Sequence, residues 1–150
     1  MTLDSGDPAP SISAPNQRGD EVRPSFEAPT VLYFYPRDGT PGCTTEAAEF
    51  AAEHDAYREA GVTVYGVSTD SIESHREFAM AEGLPFDLLA DPDGAVADSF
   101  GVAHDGGAAE RTTFVVANGE IEAVYEGVDP SGHARTVLAD AADRGLVPLD

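Results

Sequence analysis

A chain of 150 residues has the length of one domain and buries enough surface to fold without a disulfide or metal staple. Its single cysteine excludes an intrachain disulfide and every metal site built on several cysteines. The formal net charge of −20, from 28 acidic residues against eight arginines and no lysine, repels DNA, RNA and anionic lipid, which excludes nucleic-acid and membrane-surface binding as primary roles.

The acidic residues are spread along the whole chain, and 41% of residues are apolar, so the composition predicts a globular core under a strongly acidic surface. Such a surface suits a halophilic, salt-adapted protein: at about 1 M salt the Debye length is roughly 3 Å and self-repulsion is screened. Met1–Asp7 has neither the basic start nor the apolar core of a secretion signal. The longest apolar run is too short to cross a membrane. A soluble cytoplasmic protein with a reduced thiol is expected.

In chain order, Ser11–Ala14 and the polar stretch Asn16–Asp20 predict a short strand and a turn, one arm of a hairpin. Val31–Tyr35 is an unbroken apolar run and reads as a buried strand. The loop Pro36–Gly42 follows, then a helical pattern over 43–60 that Gly61 ends. Val62–Val67 predicts the next strand, and Ser71 caps a helix over 72–82. Phe86–Leu89 predicts a short strand, and Asp93 a cap for a short helix reaching Phe100. Thr112–Ala117 and Ile121–Tyr125, joined by Asn118-Gly119-Glu120, carry a strong hairpin signal. A last helix is expected over 131–144, capped by Ser131. Alternating strands and helices with a terminal antiparallel hairpin predict an α/β fold in one domain spanning 1–150: a central mixed sheet flanked by helices, thioredoxin-like, with an N-terminal β-hairpin extension.

This order places Cys43 on the first turn of a helix after a strand and loop. Unpaired backbone N–H groups and the positive end of the helix dipole there favour a thiolate. Thr40-Pro41-Gly42-Cys43 has the C-x-x-C spacing with threonine in place of the first cysteine, so no dithiol cycle runs within it. A thiolate with a hydroxyl nearby suits attack on an O–O bond. A buried structural cysteine beside an N-cap threonine is the plainer reading of the same residues.

The stretch Phe34-Tyr35-Pro36-Arg37-Asp38-Gly39-Thr40-Pro41-Gly42-Cys43-Thr44-Thr45-Glu46-Ala47 resembles the peroxiredoxins, in particular the bacterioferritin-comigratory or peroxiredoxin Q branch. The likeness continues through Gly6-Asp7-x-Ala9-Pro10, Gly66-Val67-Ser68-x-Asp70, Leu88–Pro92, Phe100-Gly101-Val102 and Arg111-Thr112-Thr113-Phe114. The resemblance implies that Cys43 is the peroxidatic cysteine. It makes Thr40 the residue that binds peroxide, Pro36 the shield against overoxidation and Arg111 the arginine beside the sulfur. Glu46 matches a polar residue that orients an active-site arginine. Many members of the branch carry a resolving cysteine five residues after the first; here that position is Ala48, which implies a one-cysteine enzyme. The loop 103–110 follows no family pattern.

The expected activity is a thiol-dependent peroxidase that reduces hydrogen peroxide and organic hydroperoxides through a sulfenic acid on Cys43. An external thiol (thioredoxin, glutaredoxin or a small thiol) then recycles it, with no metal or organic cofactor, in a monomer or weak dimer. Lowering a cysteine's pKa from about 8.5 to about 6 raises its thiolate fraction at pH 7 only about thirty-fold. Most of the acceleration must therefore come from donors preorganised on the polarising O–O bond. The rival readings are a thioredoxin-like sensor or binding module that signals through a mixed disulfide, and a thiol transferase. His54, His75, His104 and His133 make no ligand pair by spacing and read as structural or exposed, and Glu46, Glu49 and Glu53 form a helical stripe that reads as a solvated face rather than paired acid/base chemistry, Glu46 being the exception.

Overall fold

The computed structural model describes residues 2–104, 108–127, 129–143 and 145. Strand β3 (Thr30–Phe34) is buried along its whole length and lies at the centre of a five-stranded sheet. On one side it pairs in parallel with β4 (Thr63–Ser68), which pairs in parallel with β5 (Asp87–Ala90). On the other it pairs antiparallel with β6 (Thr112–Ala117), which pairs antiparallel with β7 (Glu120–Glu126). The strand order is β5-β4-β3-β6-β7.

The period of two along β3 divides its side chains between two cores. Val31, Tyr33 and Tyr35 face α1 (Pro41–Ala52), α2 (His54–Glu59), α3 (Ile72–Glu82) and α5 (His133–Asp143), where Phe50, Tyr57, Phe78 and Val137 meet them. Leu32 and Phe34 face α4 (Ala95–Phe100) and the N-terminal segment, packing with Phe100, Ile12 and Phe26. This is the thioredoxin-like arrangement expected from the sequence. The N-terminal extension is a two-stranded hairpin, β1 (Ala14–Pro15) with β2 (Glu21–Val22). Gln17 at its turn accepts from the Leu88 N–H (2.9 Å) and donates to the Phe86 carbonyl (3.3 Å), covering the β5 edge.

The first strand is Ala14–Pro15 where the sequence predicts Ser11–Ala14, most other element ends shift by one or two residues, and three features differ in kind from the sequence reading. The helix expected over 43–60 is broken at Glu53, because α1 packs on α5 whereas α2 packs on β4. The short helix is capped by Asp91 and not by Asp93. Gly94 stands at the N-cap in a left-handed conformation (φ 73°), and the Asp91 carboxylate reaches over it to accept from Val96 N (2.9 Å) and Ala97 N (3.0 Å). Helix α5 starts at His133, two residues after Ser131; Glu49 of α1 accepts from Gly132 N at 2.6 Å, and residue 144 lies outside the described residues. The β6–β7 turn is built as expected, with Asn118 (φ 54°) and Gly119 (φ 73°) both left-handed, the geometry of a type I′ turn. The loop 103–110 lies partly outside the described residues.

Candidate active site

Pro41 occupies the first turn of α1, where its missing N–H costs nothing and its fixed φ suits the helix. Cys43 follows on the same turn and is 1% exposed. Thr44 N donates to the Thr40 carbonyl at 2.8 Å and starts the helical ladder, while the N–H groups of Gly42 and Cys43 remain on the open end of the helix.

Arg111 comes from the residue just before β6, so the antiparallel pairing of β6 with β3 sets it against the start of α1. Its Nη2 donates to Cys43 Sγ at 3.3 Å and its Nη1 donates to Glu46 Oε1 at 2.5 Å. Cys43 and Glu46 are three residues apart on one helix face, and one guanidinium spans both. The fork needs space: a Cβ on Gly42 would lie 3.1 Å from Arg111 Nη2 and 3.7 Å from Pro130 Cγ. Glycine at 42 therefore leaves the guanidinium uncrowded beside the sulfur.

The neighbouring groups are buried. Glu46 is fully buried, and its Oε2 has no hydrogen-bond partner among the described residues. Burial pushes its carboxyl up to about 7 against the pull of Arg111. The Tyr33 hydroxyl below is likewise buried without a partner among the described residues, and burial together with Glu46 and Cys43 holds it far above the usual phenol range. His133 lies 2.8 Å from Thr113 Oγ1 through Nε2; burial, then the charge on Arg111, pushes it down to about 4.

Thr40 stands at the N-cap position of α1 but makes no side-chain capping bond; its hydroxyl donates to the Arg37 carbonyl at 3.2 Å. Pro36 is half-buried at the start of the same loop. The structure thus brings Cys43, Arg111 and Glu46 into one contact chain, with Thr40 and Pro36 on the loop that leads into it.

The anchor of that loop was missed by sequence reasoning. Asp38 N donates to Asp70 Oδ2 at 2.8 Å, and the Asp38 carboxylate accepts from Tyr35 Oη (2.6 Å) and Ser74 Oγ (2.8 Å). His75, fully buried, sets Nδ1 2.7 Å from Asp38 and Nε2 3.1 Å from the Leu89 carbonyl. Asp38, Asp70 and His75 bring possible metal-ligand atoms within 4.8 Å of one another, but the hydrogen bonds among them and Ser68 tie the loop to β4 and α3. Nothing in the spacing of Asp38 and His75, 37 residues apart, announces the pair. The histidines at 54 and 104 are half-buried, with His104 paired to Asp98 at 2.7 Å.

The model of the AhpC/TSA family matches residues 5–124. A putative peroxiredoxin bcp from Coxiella burnetii is 37% identical over 150 residues, covering 92% of this chain and 98% of the relative. Peroxiredoxin Bcp of Escherichia coli K12 is 40% identical over 148 residues, covering 91% and 94%. Among solved structures, peroxidoxin BcpB from Mycobacterium tuberculosis superposes with a TM-score of 0.87 at 32% identity, covering 94% of this chain and 97% of that one. A cysteine-to-serine mutant of Xylella fastidiosa PrxQ superposes with a TM-score of 0.90 at 28% identity, covering 97% and 99%.

Proposed function

Because the chain belongs to the AhpC/TSA family and is a peroxiredoxin, a thiol-dependent peroxidase, we propose that Cys43 is its nucleophile and that Arg111, Thr40 and Pro36 serve that one sulfur. The observation that carries the reading is the guanidinium of Arg111, held on Cys43 Sγ at 3.3 Å where the N-terminus of α1 opens. An arginine at contact range favours the thiolate and then remains to hydrogen-bond the peroxide oxygens as charge builds on them.

In this reading the thiolate attacks one oxygen of a hydroperoxide and the O–O bond breaks. Cys43 becomes sulfenic acid, and the other oxygen departs with one proton as water or alcohol. The Thr40 hydroxyl, its own proton turned to Arg37, accepts from the peroxide O–H. Pro36 covers the sulfenic acid and slows a second oxidation. A first external thiol then condenses with the sulfenic acid, releasing water. A second thiol attacks the mixed disulfide and returns Cys43. Thioredoxin, glutaredoxin and low-molecular-weight thiols all supply that chemistry.

One structural neighbour, the bacterioferritin comigratory protein of Xanthomonas campestris, is described as having alkyl peroxide reduction activity, and we extend alkyl hydroperoxides to this chain alongside hydrogen peroxide. No helix among the described residues is long and apolar enough to cross a membrane. The reading is completed by a cytoplasmic setting and one domain over 1–150, monomeric or weakly dimeric. Cys43→Ser tests it: the variant should keep the parent's circular dichroism and lose peroxide consumption in the presence of thiol. Consumption at the parent rate would remove Cys43 from the mechanism.

A further inference from the structure

Among the described residues, Arg111 is the one cation in contact with two buried acids, the Cys43 thiol and the Glu46 carboxyl. If both acids were ionised, this buried site would hold a net negative charge, inside a chain already at −20. Taking an uncompensated charge out of water is among the costliest arrangements in a protein. Glu46 Oε2, with no donor on it among the described residues, makes the ionised carboxylate dearer still.

The groups facing the pair do not offer the missing proton. His133 is pushed down to about 4, so it is neutral near pH 7 and has no surplus proton to give. Tyr33 holds its proton far above the usual range. Arg111 does not deprotonate in proteins. Glu46, pushed up to about 7, is the group that takes and releases a proton in the working range.

We propose that Glu46 stores the proton required when the peroxide O–O bond breaks, so that Cys43 and Glu46 share a single negative charge against Arg111. This inference rests on the reading of Cys43 as the nucleophile. Before attack, the site holds Cys43 thiolate, Glu46 carboxylic acid and Arg111 guanidinium. The thiolate electron pair forms the S–O bond, and the O–O pair leaves on the departing oxygen. That oxygen takes the Glu46 proton, and the attacked oxygen keeps its own, giving sulfenic acid, Glu46 carboxylate and water or alcohol. The site is neutral before and after, and the oxidation draws no proton from solvent. Reduction by external thiols returns both the thiolate and the proton.

The test reads protons separately from turnover. Thiolate-containing protein near pH 7, followed by its thiolate absorbance, receives one equivalent of hydrogen peroxide in weak buffer with an indicator dye. The parent should take up well under one proton per thiolate oxidised. Its infrared difference spectrum should lose the carbonyl band of a protonated carboxyl. Glu46→Gln still accepts from Arg111 Nη1, which preserves the fork, but has no acidic proton to transfer. It should take up one proton from solvent per thiolate oxidised, show no carboxyl band in its difference spectrum, and react about tenfold or more slowly per thiolate. Its rate should rise with the concentration of an added buffer acid, a rescue the parent does not show.

Uptake of one proton by the parent, or no carboxyl band lost on its oxidation, would overturn the proposal. So would a Glu46→Gln protein matching the parent in rate and buffer independence. The measurements on the parent need no variant, so a misfolded Glu46→Gln protein does not shield the proposal. Peroxide consumption by Cys43→Ser would strike the nucleophile reading itself, a failure distinct from these.

Discussion

At the scale of the residue, the site is a problem of distance. Arg111 Nη2 is 3.3 Å from Sγ, and Gly42 leaves it room there, where a Cβ would crowd that nitrogen at 3.1 Å. Contact range matters in a strongly acidic protein, since salt at about 1 M screens charges beyond roughly 3 Å of solvent. Two effects of the arginine are separable. In the proposed mechanism, one would favour the thiolate and the other would stabilise charge on the breaking O–O bond. Arg111→Met should lower both. Stopped-flow rates taken at a pH where thiolate absorbance has saturated in both proteins isolate the second, and there the variant should be about 100-fold slower. Equal rates would reduce Arg111 to its effect on ionisation. Arg111 and Glu46 could be grouped with Cys43 from the sequence because they lie in motif-bearing stretches, and the three are in contact. Asp38 and His75 could not be grouped so, because their pairing depends on the register of β3 with β4 and the docking of α3, which no local spacing encodes.

Elements were legible where their signal is local. The buried run of β3 and the Asn118-Gly119 turn of the terminal hairpin needed only period and turn chemistry. The break at Glu53, the Asp91 cap and the Glu49 cap on α5 each depend on a partner from another element or a neighbouring turn, and local propensity does not see them. Helix α1 carries the element-scale consequence. Cys43 is buried and Ala48 exposed on the same unbroken helix, so they face different sides. Five residues give a rise of about 7.5 Å and a Cα separation of roughly 8–9 Å, whereas a disulfide needs less than about 7 Å. The first turns of α1 must therefore unwind before Cys43 bonds to a thiol at 48, and an incoming thiol reductant also needs the 1%-exposed sulfur uncovered. Ala48→Cys treated with peroxide should form an intramolecular disulfide slowly, with loss of helical signal, and become reducible by a dithiol. Mass spectrometry showing sulfenic or sulfinic acid without a linked peptide would mean that α1 does not open.

At the scale of the molecule, two charge effects act on stability, one through pH and one through salt. Glu46 binds its proton more tightly folded (about 7) than unfolded (4.5). Its contribution is fully present below about pH 4.5 and is lost as pH rises through about 7. His133 acts in the opposite sense, since its proton affinity drops from 6.5 to about 4 on folding, and stability is lost as pH falls across that window. In a Cys43→Ser background, Glu46→Gln should therefore melt above its parent near pH 8, by on the order of 2 kcal/mol, and the gap should close towards pH 4.5. A constant gap would assign the effect to packing. The salt effect comes from the surface. Among the described acidic residues Glu46 and Asp91 are buried and the others are half-buried or exposed, so most of the negative charge faces solvent. Arg18, Arg58, Arg111 and Arg135 make ion pairs with carboxylates, too few to offset 28 acidic residues. The excess repels itself in the folded state and relaxes on unfolding. Raising salt from about 0.1 M to about 1 M shortens the Debye length from roughly 10 Å to roughly 3 Å and removes most of that repulsion. The melting temperature should climb through this range in chloride salt, and an uncharged osmolyte at matched osmolality should not reproduce the climb. A flat response, with chloride and osmolyte alike, would show that the acidic surface does not make the fold depend on salt.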